Sequence, residues 1–184
     1  MSWTEIEKQL RELPADEVAK LLKGLYDLSP QNKAWLKSKL LPIAQDTQYL
    51  EDCRRKVCNY VYKETKGFPP MPRFGEAKKV INEYRKSTSD MRGTLDLMLT
   101  YIERGHQFTL DFGDIDEPFY ITLENMWERF AVELRRSPAK YELYEQFEPR
   151  LMKMRRKSDI GWGYGDTVQE TVDELKKSLG ETKT

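Results

Sequence analysis

FYITLENMWERFAVEL, residues 119–134, is the stretch whose reading decides the fold. Phe119, Leu123, Met126, Trp127, Phe130 and Leu134 recur at steps of three and four. At 3.6 residues per turn those steps place all six side chains on one helix face. A strand would need strict alternation, and no comparable stretch of the chain alternates with period two.

Moving outward, the same signature repeats in both directions. Val18, Leu21, Leu22, Leu25 and Leu28 form one stripe, and Leu50, Cys53, Val57, Tyr60 and Val61 another. Ala77, Val80, Ile81 and Tyr84 form a third, followed by Leu95, Met98, Leu99 and Ile102. Beyond residue 134 come Tyr144, Phe147, Leu151 and Met154, then Val168, Val172, Leu175 and Leu179. The chain reads as all-α, with about eight helices packed as antiparallel helical hairpins, in a bundle or a short α-solenoid-like stack.

Punctuation supports this reading. Ser2 and Glu5 have capping-box spacing, in which each side chain satisfies a free backbone N–H of the other. Ser29-Pro30 and Ser137-Pro138 each read as a cap followed by proline at the first helical position, where its missing N–H costs nothing. Asp46 is placed to cap the cysteine-bearing helix, which the pattern ends near Lys66-Gly67. GFPPMPRFG, residues 67–75, holds three prolines that cannot donate to helix or sheet, so it reads as a rigid linker. It divides an N-terminal helical group, 1–66, from a C-terminal group, 76–184, within what reads as one compact unit.

Composition bounds the class. Lysine plus arginine balance aspartate plus glutamate, 31 against 31, so no global field draws in nucleic acid or an anionic membrane. The 34% of charged residues argues against a membrane protein, and 21 aromatics argue against disorder. No apolar run approaches the roughly 20 residues of a spanning helix. Cys53 and Cys58 lie five apart in a helical stretch, about 140° apart around its axis, so they do not face each other as a disulfide requires. They read as small core or boundary side chains, and the expected compartment is a reducing cytoplasm.

Three features invite a chemical reading. The first is DFGDIDEPFY, residues 111–120. Its aspartates miss the calcium-loop pattern, because Gly113 precedes the second acid and no glycine follows Asp116. His106 is the only histidine, too few for a zinc site built mainly on His and Cys. Asp116 instead reads as an N-cap, with Glu117 and Pro118 in the first turn, where acids meet the positive end of the helix dipole. Asp111 and Asp114 are surplus to capping, free to meet solvent or an Arg or Lys from elsewhere in the fold.

The second feature is SDIGWGYGD, residues 158–166, where three glycines alternate with Trp162 and Tyr164. It is neither a P-loop nor a dinucleotide fingerprint. The aromatics read as packing residues and the glycines as turns, with Asp166 and Gln169 at capping-box spacing. The third is a set of basic runs: Arg54-Arg55-Lys56, Arg135-Arg136, and KMRRK at 153–157. Each is short and flanked by acids, as on a solvated helix face.

FTLDFGDIDEPFYITLENMWERF resembles a stretch of a family of small bacterial helical proteins described as a domain of unknown function, with a GD-x-DEPFY-like turn opening an apolar-faced helix. ELPADEVAKLLKGLYDLSPQNKAWLKSKL resembles that family's opening. The resemblance covers most of residues 1–136 and is most specific at Gly113–Tyr120. It implies a helical fold and implies no activity.

These readings combine into an expected function: a non-enzymatic, protein-binding or regulatory module without cofactor or metal. Its contact residues are expected in the turns at 111–120 and 160–166, namely Asp111, Asp114, Asp116, Glu117, Tyr120, Trp162 and Tyr164, beside Arg136, Arg155 and Arg156. Aromatics and arginine are the usual interface anchors. The alternative is nucleic-acid binding through the basic runs. A third reading is a metal-dependent enzyme using Asp111, Asp114 and His106.

Overall fold

The computed structural model describes residues 2–40, 47–63, 67 and 69–180. Nine α-helices and no strand occur among them: α1 (Trp3–Glu12), α2 (Ala15–Leu28), α3 (Pro30–Leu40), α4 (Thr47–Val61), α5 (Phe74–Thr88), α6 (Met91–Phe112), α7 (Glu117–Arg136), α8 (Lys140–Arg155) and α9 (Tyr164–Leu175). A π-helical turn, Lys176–Gly180, continues α9. None of the described helices is long and apolar enough to cross a membrane.

The helices pack as a bundle around α6, which touches α4, α5, α7 and α8. Sequence periodicity shows only the Leu95, Met98, Leu99 and Ile102 stripe of α6, yet Leu97, Tyr101, Gly105 and Phe108 are buried as well. A helix covered on nearly every side is the central element of its domain. The stripe at 119–134 packs as expected, with Leu123, Trp127, Phe130 and Leu134 fully buried. Gly105 lets α7 approach α6, since a methyl group there would overlap the buried Leu123 side chain.

One polar clamp crosses the bundle. Asp96 on α6 accepts from Arg54 on α4 at 2.6 and 3.0 Å, and from Arg150 on α8 at 2.6 Å. Arg150 also bonds Glu103 through both nitrogens of its fork, at 2.6 and 2.9 Å. Bidentate pairs of this kind fix orientation as well as charge, so the register of α4, α6 and α8 is set by ions at the margin of an apolar core.

The capping predictions divide. Ser2 and Glu5 form the reciprocal box, and the Ser29 hydroxyl accepts from the Asn32 N–H at 3.1 Å. Pro138 does not begin a helix. It sits in a turn with Ala139, the Ser137 hydroxyl accepts from the Ala139 N–H, and α8 starts at Lys140. Asp166 does not cap α9, because the helix begins two residues earlier with Gly163 as its cap at φ 72°. Gln169 donates instead to the Ser158 hydroxyl at 3.0 Å. Asp46 and Lys66 lie outside the described residues. The cysteine-bearing helix already ends at Val61.

The proline-rich stretch does not separate two cores. Cys53, Val57 and Val61 of α4 belong to the same apolar cluster as α5–α9. Arg73 in the linker ties back to α4, its N–H donating to the Tyr60 carbonyl at 2.7 Å and its guanidinium lying 4.7 Å from the Tyr60 ring centre. Cys53 and Cys58 are both free thiols. The change in burial comes earlier in the chain, across α1–α3, where Ala34 of α3 is the one buried residue among those described. No residue of α1 or α2 is buried, whereas every helix from α5 to α9 contributes buried residues to the core.

Candidate functional site

The acidic turn serves the fold. Asp116 accepts from the Phe119 N–H at 3.0 Å and caps α7, with Glu117 in the first turn. Asp111 accepts from the Tyr62 hydroxyl and from the Gln107 amide, each at 2.7 Å. Asp114 accepts from the Tyr120 hydroxyl at 3.4 Å. The two surplus acids therefore meet phenols and an amide. Among the described residues, no three His, Cys, Asp or Glu side chains converge as metal ligands.

The two predicted loops do come together. A methyl group at Gly161 would lie 2.9 Å from Asp114 Oδ2, and the Tyr120 and Tyr164 rings are 5.5 Å apart. Their aromatics behave differently from one another. Tyr120 and Tyr164 are buried, which corrects their assignment as contact residues. The Tyr120 hydroxyl is bonded to Thr109 at 2.7 Å, and the Tyr164 hydroxyl accepts from the Trp127 indole at 3.2 Å. Burial pushes the Tyr164 phenol well above its ordinary pKa, so it stays neutral and keeps that hydrogen bond. Trp162 alone projects outward, 59% exposed and in the left-handed region at φ 61°.

Much of the basic surface is neutralised within the chain. Arg54 pairs with Asp96 and Glu51, Arg55 with Asp52, Arg135 with Glu174, and Arg155 with Asp173. Arg156 is exposed and bonds the Met152 carbonyl, and Arg136 is exposed at the end of α7. Pairing of this kind lowers the positive charge that the four paired arginines offer to a nucleic-acid backbone.

His106 is buried, and neither ring nitrogen makes a hydrogen bond of good geometry, the Lys157 backbone offering only a weak one. Its ring lies 5.9 Å from that of Tyr164. Burial holds its pKa down, to about 4; the Lys157 charge acts in the same direction and the Lys157 backbone opposes it. The ring forms one wall of a cleft of about 260 Å³ between α6 and the end of α8, which Glu103, Arg104, Lys153 and Lys157 also line. Neutral and desolvated, it behaves as an apolar core side chain.

The surface that remains unexplained by folding lies on the first three helices. Thirteen large apolar side chains are exposed among the described residues, and nine belong to residues 3–40: Trp3, Ile6, Leu13, Leu21, Leu22, Leu25, Leu28, Trp35 and Leu40. Trp3 is 67% exposed, Leu28 75% and Leu40 74%. Along α1 and its C-cap, the apolar residues Trp3, Ile6, Leu10 and Leu13 follow steps of three, four and three, a helical stripe whose side chains all stay at least partly exposed. α2 packs chiefly on α3, and α3 in turn rests on α5. The Leu21–Leu28 stripe was legible in the sequence, and its amphipathic pattern predicted burial. What the pattern lacks is a cue that these side chains stay largely exposed in this chain.

Comparison with protein-family models, with characterised protein sequences and with solved structures gives no match.

Proposed function

We propose that this chain is a protein-binding module whose docking face is the apolar side of α1–α3, carried on a structural body formed by α4–α9. The single observation that carries this reading is the concentration of exposed Trp, Leu and Ile on residues 3–40. A contiguous apolar patch is costly to leave in water and marks an interaction site. Helical spacing of its members suits a helical segment of another polypeptide, laid against the stripe with anchors at i, i+3, i+4 and i+7.

A membrane surface is the other habitat of an amphipathic helix. There the polar face is rich in Lys and Arg. In α1 the polar residues include Glu5, Glu7 and Glu12 against Lys8 and Arg11, and Arg11 is paired with Glu7 at 2.6 Å. That balance favours a protein partner. The loops at 111–120 and 158–166 retain Trp162 as one exposed anchor on the body.

The experiment is affinity capture from nuclease-treated lysate with the wild-type chain and with a Leu21→Asp/Leu25→Asp variant. A stoichiometric protein held by the wild type and lost from the variant is the expected result. Equal capture by both forms contradicts the reading, as does a captured set that disappears with nuclease.

A further inference from the structure

We infer that the line where α5 meets α7 binds a phosphate dianion, free or as a monoester, through Lys78 and Arg129. The site lies on the body of the molecule and does not depend on the α1–α3 face.

Two side-chain bridges tie the helices together there. Arg129 on α7 donates to the Asn82 side-chain oxygen on α5 at 2.9 Å. One turn further along both helices, Arg85 on α5 pairs with Glu133 on α7 at 2.8 Å. Lys78 lies one turn before Asn82 on the same side of α5. That spacing brings the Lys78 ammonium beside the Arg129 guanidinium, and both residues are half-buried.

The chain supplies no acid for this pair. The neighbours of Lys78 at three and four steps are Phe74, Gly75, Ile81 and Asn82, none of them charged. Lys79, the next residue, has Glu76 and Glu83 at those steps and pairs with Glu76 at 2.9 Å. Lys78 makes no ion pair or hydrogen bond. Arg129 has Glu133 at four steps, but Arg85 engages that carboxylate, and the acceptor Arg129 does reach, Asn82, is neutral. Burial holds both cations below their ordinary pKa. The Arg129 charge pushes Lys78 the same way, Arg85 does so to Arg129, and Glu133 opposes this at Arg129. A charge withdrawn from water is costly unless it is paired. Arg54 and Arg150, also half-buried, both meet Asp96. Lys78 and Arg129 stand side by side without a carboxylate of their own.

The charge count selects the ligand. Two uncompensated cations match a dianion, whereas a single carboxylate would leave one of them over. Arg129 keeps N–H donors beyond the one bonded to Asn82, and a guanidinium fork fits phosphate oxygens in pairs. Lys78 adds a compact point charge on a flexible stem. An anion between them replaces one repulsion with two attractions.

The test is calorimetric titration of the chain with inorganic phosphate and with glycerol phosphate, at an ionic strength held constant with sodium chloride. The wild type is compared with Lys78→Gln, Arg129→Gln and Lys79→Gln, and circular dichroism checks that each keeps its helix content. The wild type is expected to bind with a Kd on the order of 1 mM or tighter. Tighter binding of glycerol phosphate identifies a monoester as the ligand, and equal or weaker binding identifies the free anion. Lys78→Gln and Arg129→Gln should each weaken binding by about tenfold or more, the usual loss with a charge-assisted hydrogen bond. Lys79→Gln removes the same charge one residue away and should bind as the wild type does. Thermal unfolding supplies a second readout. Without phosphate, Lys78→Gln should hold or raise the Tm, because it removes a cation facing Arg129. Added phosphate should raise the Tm of the wild type and leave that of Lys78→Gln unchanged. A wild type that binds neither compound overturns the site. So does an equal loss of binding in Lys79→Gln, which would mean general attraction to a basic surface, and so does a Lys78→Gln chain less stable than the wild type without phosphate.

Discussion

At the scale of single residues, His106 carries the clearest consequence of burial. Its folded pKa of about 4 lies below the unfolded value of about 6.5. The unfolded chain therefore takes up the proton first as pH falls. The stabilising contribution is complete above about pH 6.5 and is lost as pH drops toward 4, roughly 3 kcal/mol across that window. Urea unfolding at a series of pH values should show this loss in the wild type and a flatter profile for His106→Leu. Equal slopes for the two proteins would mean the ring is not held neutral. The charged groups facing the ring, Lys153, Lys157, Arg104 and Glu103, are shared by both forms, so the difference isolates the histidine. Residue identity alone announced a lone histidine near acids and invited a catalytic reading. It could not announce that Asp111 bonds Tyr62, which lies just past the end of α4 and 49 positions earlier in the chain. Nor could it separate Tyr164, sealed in the core, from Trp162 two residues away. Such distinctions depend on which neighbours the topology delivers, and spacing does not encode that.

At the scale of elements, glycines at 161, 163 and 165 read alike in sequence and act differently in the fold. Gly163 turns the chain with a positive φ, whereas Gly165 is required for space. A methyl group at Gly165 would overlap the Ser158 carbonyl oxygen, a backbone atom that cannot rotate away. Gly165→Ala should lower stability by about 1–3 kcal/mol, the usual cost of overpacking a close contact, despite alanine's better helix propensity. Thermal unfolding measures it, and an unchanged or raised Tm would contradict the close approach. Helices themselves were legible because apolar periodicity is a local property, as Phe119–Leu134 and Val168–Leu175 show. Helix starts were legible only where a side chain does the capping. Ser2, Ser29 and Asp116 do so. The start of α9 rests on Gly163 and escaped the capping-box pattern at Asp166 and Gln169, because the same spacing also occurs one turn inside a helix.

At the scale of the whole molecule, the chain divides into a body and an arm. α4–α9 share one apolar cluster, clamped by Arg54, Asp96 and Arg150, while α1 and α2 bury no residue at all. All-helical architecture could be read from periodicity. The division could not, since Val18–Leu28 has the same amphipathic pattern as stripes that do pack, and a stripe records that a face is to be covered without recording by what. Local stability should follow the division, because protection from exchange tracks buried apolar contact. Hydrogen exchange on the chain, read helix by helix, tests the central claim most directly. Amides of α6, the helix covered on nearly every side, should be strongly protected. Those of α1 and α2, which bury no residue, should exchange rapidly in the isolated chain and gain protection when a captured partner is added. Strong protection of α1 and α2 in the isolated chain, or rapid exchange that the partner leaves unchanged, would contradict the account.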